Sequence, residues 1–575
     1  MFLQEGASVM MRVVLDTEWR GERFAAARAQ GGRLHYIAVA PALPPADAVH
    51  DAELRAAWPL NVPGFHRVIL NDEVTLDLLV GALDAVLPQV VARVNAFHLD
   101  AAVTPPMART LAKLAVQGAT LHARAAGEAM VWALTAAGFA CRIAASPGDR
   151  TAHVERAPDI TAVYRSRRPQ PAMAAEPARR AVVIGAGLAG ASAAHRLCAR
   201  GWQVTLIERH AQPAQEASGN LAGIFMPLLS KDDNIPTRLS RAAYLFALRE
   251  WRRLGGVGRA FEGADCGVLQ LARDERHAVV QQEALAAWNY PQAYARWADA
   301  QEASTLIGAT TPHGGWLFEQ GGWARPSSLC EAMLNACGDR LQRVFHTEAL
   351  SLQRIGDEWL VRGADGALIA QAPTAILAGG AQAGQIEQAA ELPLFKLRGQ
   401  VTHLALDPAP AAPRPPVLPL VVCREAYVTP PSNGIVCAGA TYDNDDEPSL
   451  RASSQLENLT RLAEIIPGDE VAALAHSAPL EGRVGFRCAA PDRLPLAGAL
   501  PDYPNTGRAE FLSDVRRHPG LHCLLGYASR GLIWAPLMAE LLVSQLEHTP
   551  PPLETQLIEA LDPGRFLLKQ RRRSQ

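Results

Sequence analysis

The chain has 575 residues, 49% hydrophobic and 20% charged, with a formal charge of −3. That is the balance of a globular protein with an ample core, and it excludes a molecule that holds nucleic acid through a global cationic field, leaving only local basic patches. The nine cysteines form no CxxC pair and no Cys/His cluster of zinc spacing, the N-terminus lacks a signal-peptide pattern, and no apolar stretch reaches the roughly 20 residues of a membrane span; the expectation is a cytoplasmic protein with reduced thiols, no metal and no membrane segment.

Residues 1–155 read as alternating strands and helices, with strands at 11–15, 34–39, 96–99 and 119–122 and helical spacing over 75–87 and 107–115. Such alternation predicts a doubly wound, mostly parallel sheet of Rossmann type. Residues 156–178, rich in Pro and Ala, read as a linker. A second α/β domain is expected over 179–568, a nucleotide-binding domain with an inserted mixed-sheet substrate region at roughly 261–375 and 395–485; a helix is predicted near 326–337. Lys569 with Arg571, Arg572 and Arg573 makes 569–575 a basic tail.

The second domain opens on a strand at 181–184, followed by Gly185, Gly187 and Gly190 in GxGxxG spacing, an alanine-rich helix, and a strand at 204–207 that ends in Glu208 and Arg209. Gly185 permits the tight turn, Gly187 lets backbone approach a pyrophosphate, and Gly190 lets the helix pack on the sheet. The helix N-terminus offers unpaired N–H groups to phosphate. Glu208, 18 residues after Gly190, stands where an acid accepts from ribose hydroxyls. The fingerprint alone fits FAD or NAD.

Three later segments select FAD. Ser218, Gly219, Asn220 and Gly223 are small or polar residues that let the chain pass close to a flavin. The strand at 374–377 ends in Gly379, and such a strand returns to the nucleotide. Gly526, Ser529, Arg530 and Gly531 open the last long helix, where N–H groups can face the flavin pyrimidine edge, which gains negative charge on reduction.

Together these segments resemble the D-amino-acid oxidase and glycine oxidase superfamily, as do Arg398-Gly399-Gln400 and Arg487 with 491–498 (PDRLPLAG). The runs 219–234 (GNLAGIFMPLLSKDDN) and 238–244 (RLSRAAY) resemble one family in particular, the MnmC family of tRNA 5-methylaminomethyl-2-thiouridine biosynthesis bifunctional proteins. The resemblance covers about 179–568. It implies an FAD-dependent removal of the carboxymethyl group from 5-carboxymethylaminomethyluridine at the tRNA wobble position. A CH2 beside a neutral secondary amine yields a hydride, and the imine hydrolyses to the aminomethyl nucleoside and glyoxylate. An arginine is the natural carboxylate anchor; Arg487 is the first choice, with Arg398 and Arg530 as the others.

The family's other half methylates the product amine with S-adenosylmethionine. Segments 54–60, 96–100, 119–121 and 134–139 follow that half's order. Its binding residues do not: the loop after the first strand retains only Gly21 and carries Trp19 and Arg20, the second strand ends in Val39-Ala40-Pro41 with no acid, and 101–107 lacks the segments that follow Asp100 in the family. The expectation is a degenerate methyltransferase-like domain that no longer binds S-adenosylmethionine usefully. Lys231, Arg238, Arg241, Arg516 and Arg517 are candidate tRNA contacts. The competing reading is an FAD oxidase of a free small amino acid or secondary amine of the glycine, sarcosine or D-amino-acid type.

Overall fold

Strands that are buried on both faces lose the in–out alternation that marks a strand in sequence, and the first part of the chain is built on them. A computed structural model describes residues 11–143, 159–165, 178–407, 413–476 and 480–573. It divides into one unit of Met1–Pro177 with Ser544–Ile558 and a second of Ala178–Val543 with Glu559–Gln575. The first unit therefore includes a segment that the sequence reading placed wholly in the second.

The sheet of the first unit runs, in spatial order, Gly64–Ile69, Val74–Val80, Leu34–Ala40, Arg12–Asp16, Val94–Leu99, Ala115–Ala123, Ile160–Tyr164 and Phe139–Ile143. Its centre is parallel. Two expectations are corrected here. Residues 74–80 are a strand, not part of a helix over 75–87: every residue of VTLDLLV is buried, and periodicity cannot tell so uniform a run from a buried helix. Residues 160–164, assigned to the linker, form a strand whose Ile160 and Ala162 are buried while Thr161 and Val163 face solvent. Residues 166–177 lie outside the described residues.

A charged cluster lies buried beside the late segment of this unit. Arg67 donates Nε to Asp77 Oδ1 (2.8 Å) and Nη2 to Asp77 Oδ2 (2.7 Å), and His35 Nε2 lies 2.7 Å from the same carboxylate. Arg67 also donates to Ser544 Oγ (2.9 Å) and the Pro550 carbonyl (2.6 Å), which holds the late segment in the unit. Burial alone would raise the Asp77 pKa; Arg67 and His35 outweigh it and bring it down to about 2. A carboxyl depressed by folding contributes stability above its unfolded pKa, near 4, and loses it as pH falls toward 2. Asp77→Ala should destabilise the unit by about 3–5 kcal/mol at neutral pH, since it leaves a buried guanidinium unpaired. Its melting temperature should also lose the wild-type fall between about pH 4 and pH 2 that this carboxyl causes; calorimetry across that range checks both.

At the carboxyl ends of its central strands the unit is filled by its own side chains. Asp16 is fully buried and accepts from Tyr36 Oη (2.9 Å) and Arg23 Nη1 (3.1 Å). Asp100 accepts from Arg23 Nη2 (2.9 Å) and Arg20 Nε (2.6 Å). Trp19 packs on Trp58 and Phe24, with ring centroids 5.4 and 5.9 Å apart.

The second unit contains two large sheets. The first is Leu341–Val344, Gln203–Ile207, Arg180–Ile184, Thr374–Leu377 and Arg517–Leu525, all parallel, closed by antiparallel Leu496–Pro501. The second has eight strands in the order Arg296–Ala298, Gly315–Phe318, Val268–Leu271, Val421–Cys423, Tyr427–Val428, Ile435–Gly439, Phe395–Ala405 and Glu481–Ala489. The boundary expected at 375 shifts: Leu341–Val344 and Thr374–Leu377 belong to the parallel sheet, and Ser351–Ile355, Glu358–Arg362 and Leu368–Ala372 form a separate antiparallel meander. The predicted helix near 326–337 is Pro326–Asn335. The chain end is helical over Arg565–Arg573, and Lys569 Nζ lies 3.4 Å from Asp492 Oδ2, so 569–573 continues a helix rather than forming a tail; the side chains of 571–573 lie outside the described residues. Among the described residues no helix is long and apolar enough to cross a membrane.

Candidate active site

In the parallel sheet the strand order reverses at Arg180–Ile184, whose neighbours are Gln203–Ile207 on one side and Thr374–Leu377 on the other. The crevice outside the carboxyl ends at such a switch point is where open α/β sheets bind nucleotides. Gly185 leaves the first strand with φ +103°, and a Cβ there would lie 2.8 Å from the Ala378 carbonyl oxygen. Helix Leu188–Ala199 then starts almost against the sheet, because a Cβ on Gly190 would fall 1.8 Å from the Gly185 oxygen. Ser218 Oγ accepts from Leu188 N at 3.2 Å and would lie 3.1 Å from a Cβ on Gly187. Glu208 closes the second strand and accepts from the N–H groups of Ala186 (2.8 Å) and His210 (3.0 Å), bracing the turn from below.

From this cradle a cavity of about 680 Å³ extends to the eight-stranded sheet. Gly185, Gly187, Glu208, Arg209, Ser218, Asn220, Gly223, Gly379, Gly526, Ser529, Arg530, Gly531 and Arg487 all line it. Gly190 and Gly219 do not: the first serves helix packing, and the second leaves room for the Arg483 guanidinium, which donates to the Gln215 and Glu216 carbonyls. The long shape and the side-chain-free turn at one end fit an extended dinucleotide, with phosphates against the helix N-terminus.

The three candidate arginines separate. Arg487 lines the cavity, donates Nη1 to the Thr441 carbonyl (3.1 Å) and stacks 4.4 Å from the centroid of Tyr442. Its guanidinium rests over Gly399, where a Cβ would come within 2.2 Å of it. Arg530 also lines the cavity, and no hydrogen-bond acceptor meets its side chain among the described residues; burial, not a carboxylate partner, sets its pKa below the ordinary arginine value. Arg398 is the correction. Register pairs Arg487 with Leu397, so the pleat turns Arg398 to the other face of the sheet. There it is fully buried and donates to the Glu447 carbonyl (2.7 Å), the Ser449 carbonyl (2.7 Å), Asp443 Oδ2 (3.1 Å) and Gln400 Oε1 (3.1 Å). It braces a loop and does not reach the cavity.

Several wall residues carry no sequence signal, since they come from separate strands. Tyr427 accepts from Asn220 Nδ2 (3.1 Å), which leaves its own hydroxyl proton to donate; burial pushes that phenol's pKa up. Asn220 Oδ1 is buried and meets no hydrogen-bond partner among the described residues. Lys396, 3.5 Å from Asp446, and Tyr442 also line the wall. The basic surface residues fare unevenly. Lys231 pairs with Glu283 (3.1 Å) and is exposed, Arg238 is half-buried and Arg516 is exposed. Arg241 is withdrawn as a surface contact: it is buried and held by both Asp233 oxygens at 2.6 and 3.0 Å. Arg517 is engaged with Asp562 and the Ala499 carbonyl.

Residues 180–545 match the model of a family described as DAO, FAD dependent oxidoreductase. The tRNA 5-methylaminomethyl-2-thiouridine biosynthesis bifunctional protein MnmC of Burkholderia thailandensis is 42% identical over 560 residues, covering 94% of this chain and 83% of that protein. The protein of the same name from Azoarcus sp. is 44% identical over 542 residues, 90% of this chain and 81% of that one. Among solved structures, glycine oxidase from Geobacillus kaustophilus superposes with a TM-score of 0.53 at 19% identity, over 66% of this chain and 98% of that one. Iminodiacetate oxidase from Chelativorans sp. BNC1 does so with a TM-score of 0.51 at 25% identity, over 65% and 96%. A dinucleotide cradle opening onto an arginine-bearing wall, and this identity sustained across both units, lead to one statement: the chain is an FAD-dependent oxidoreductase and belongs to the family of MnmC bifunctional proteins.

Proposed function

We propose that this chain oxidises the CH–N bond of 5-carboxymethylaminomethyluridine, or its 2-thio form, at the tRNA wobble position, giving the 5-aminomethyl nucleoside and glyoxylate. The observation that carries the reading is a cavity joining the nucleotide cradle to two arginines, of which Arg530 meets no acceptor among the described residues. The iminodiacetate oxidase with which the fold is shared is named for a substrate with the same N-carboxymethyl secondary amine.

Gly185, Gly187, Ser218 and Gly379 would hold the FAD phosphates and Glu208 the ribose, with Gly526, Ser529 and Gly531 at the ring end. Bound FAD supplies the acceptor for the hydride. The protein's part is orientation. Arg487 and Arg530 engage the carboxylate, Tyr427 donates to it or to the amine, and their fixed geometry sets the N–CH2 carbon in place. Water then adds to the C=N bond, the C–N bond breaks, and the amine stays on the nucleoside. A tRNA substrate places the reaction in the cytoplasm.

Anaerobic mixing with undermodified tRNA should bleach the flavin, and nucleoside mass spectrometry should show the aminomethyl product. Bleaching by glycine or sarcosine but not by tRNA would establish the small-amine oxidase reading instead. For the first unit, Arg20, Arg23, Trp19 and Tyr36 already use the space and carboxylates a cationic cofactor needs. Equilibrium dialysis with labelled S-adenosylmethionine should therefore show no saturable binding, and a micromolar dissociation constant would overturn that part.

A further inference from the structure

One large aromatic side chain stands exposed at the rim of the catalytic cavity. Tyr442 lines the cavity, yet its relative exposure is 54%. It is nevertheless held. One ring face is covered by the Arg487 guanidinium, 4.4 Å from the centroid. The next residue is clamped by backbone bonds in both directions, Arg398 N to Asp443 O (2.9 Å) and Asp443 N to Arg398 O (3.0 Å). The rest of the loop is tied down by Arg398 to the Glu447 and Ser449 carbonyls, and by Arg451 to Asp445 at 2.8 Å. An aromatic ring fixed in advance, with one face covered and more than half of the residue exposed, is a stacking platform that costs little to order.

We propose that Tyr442 receives a nucleobase of a single-stranded RNA loop, the one beside the nucleotide whose side arm enters the cavity. This rests on the tRNA reading of the site. Drawing one nucleotide out of a stacked loop leaves its neighbour with a bare face, and an aromatic side chain replaces the lost contact. The loop's chemistry favours a base over a phosphate. It is rich in carboxylates (Asp443, Asp445, Asp446, Glu447); of the cations near it, Arg398, Arg451 and Lys396 are turned to those carboxylates or to loop carbonyls, and Arg487 donates to the Thr441 carbonyl while it covers the ring.

The test uses the full-length holoenzyme and two probes: a fluorescent anticodon stem-loop carrying 5-carboxymethylaminomethyluridine, and the free modified nucleoside, which has no neighbouring base. Tyr442→Ala should weaken stem-loop binding by about tenfold, within the range one stacked base contributes. Tyr442→Phe and Tyr442→Trp should restore it. Flavin reduction by the nucleoside, which reads whatever support the ring gives to Arg487, should weaken clearly less than stem-loop binding does. An unchanged stem-loop dissociation constant overturns the proposal. So does an equal loss with the nucleoside, which would mean that Tyr442 acts by holding Arg487. A wild-type flavin that neither probe reduces would instead refute the tRNA reading on which the proposal stands.

Discussion

Gly185→Ala is expected to yield a colourless protein. The residue has φ +103°, where an L side chain is strained, and its new methyl would lie 2.8 Å from the Ala378 oxygen and 2.9 Å from the Gly379 Cα. Nothing there is a flexible side-chain end that could swing aside; both obstacles are backbone of the neighbouring strand connection. The strain of about 1–3 kcal/mol can be relieved only by separating the turn from 378–379, which is the wall that FAD must touch. Flavin-to-protein absorbance should fall to near zero, and thermal stability should fall further than strain alone accounts for, because the stabilisation by bound ligand goes with it. Gly190→Ala, with its 1.8 Å contact to the Gly185 oxygen, should behave alike. Full flavin content in either variant would refute the assignment of this turn.

Arg487→Ala is expected to keep its flavin and lose its turnover. A bidentate guanidinium–carboxylate contact makes two charge-assisted hydrogen bonds, about 1.5–3 kcal/mol each. Their loss corresponds to roughly 10²- to 10⁴-fold in kcat/KM at 1.4 kcal/mol per tenfold. Arg487→Lys should recover little, since an ammonium cannot reproduce the planar fork stacked on Tyr442. Arg530→Ala should fall in the same range. Arg398→Met provides the contrast: it removes four hydrogen bonds from a buried loop brace and should lower the melting temperature, with any loss of turnover following that instability. Anaerobic flavin reduction for all four variants, read beside flavin content, separates these outcomes. Wild-type turnover by Arg487→Ala would remove its role.

The contrast between Arg398 and Arg487 also marks how far the sequence could be read. The nucleotide cradle was legible because it is local: strand, glycine turn, helix, strand and acid lie within 180–208, and each step has its own residue requirement. The strand over 374–377 and the turn at 526–531 were legible for the same reason. Which arginine faces the cavity depends on the register between Phe395–Ala405 and Glu481–Ala489, two strands about 80 residues apart, and a one-residue slip would exchange the faces. Tyr427 and Tyr442 were invisible because no pattern precedes them; they matter only after eight strands have come together. The buried strand over 74–80 was hidden by its own uniformity.

The late segment of the first unit has a consequence for synthesis. Arg67 keeps two of its donors for Ser544 and Pro550, and these leave the ribosome about 370 residues after Pro177. At roughly 5–20 residues per second, the nascent first unit waits on the order of 20–70 s with a guanidinium not yet fully satisfied. Splitting the gene between the two halves would deprive the upstream product of its closing piece for good.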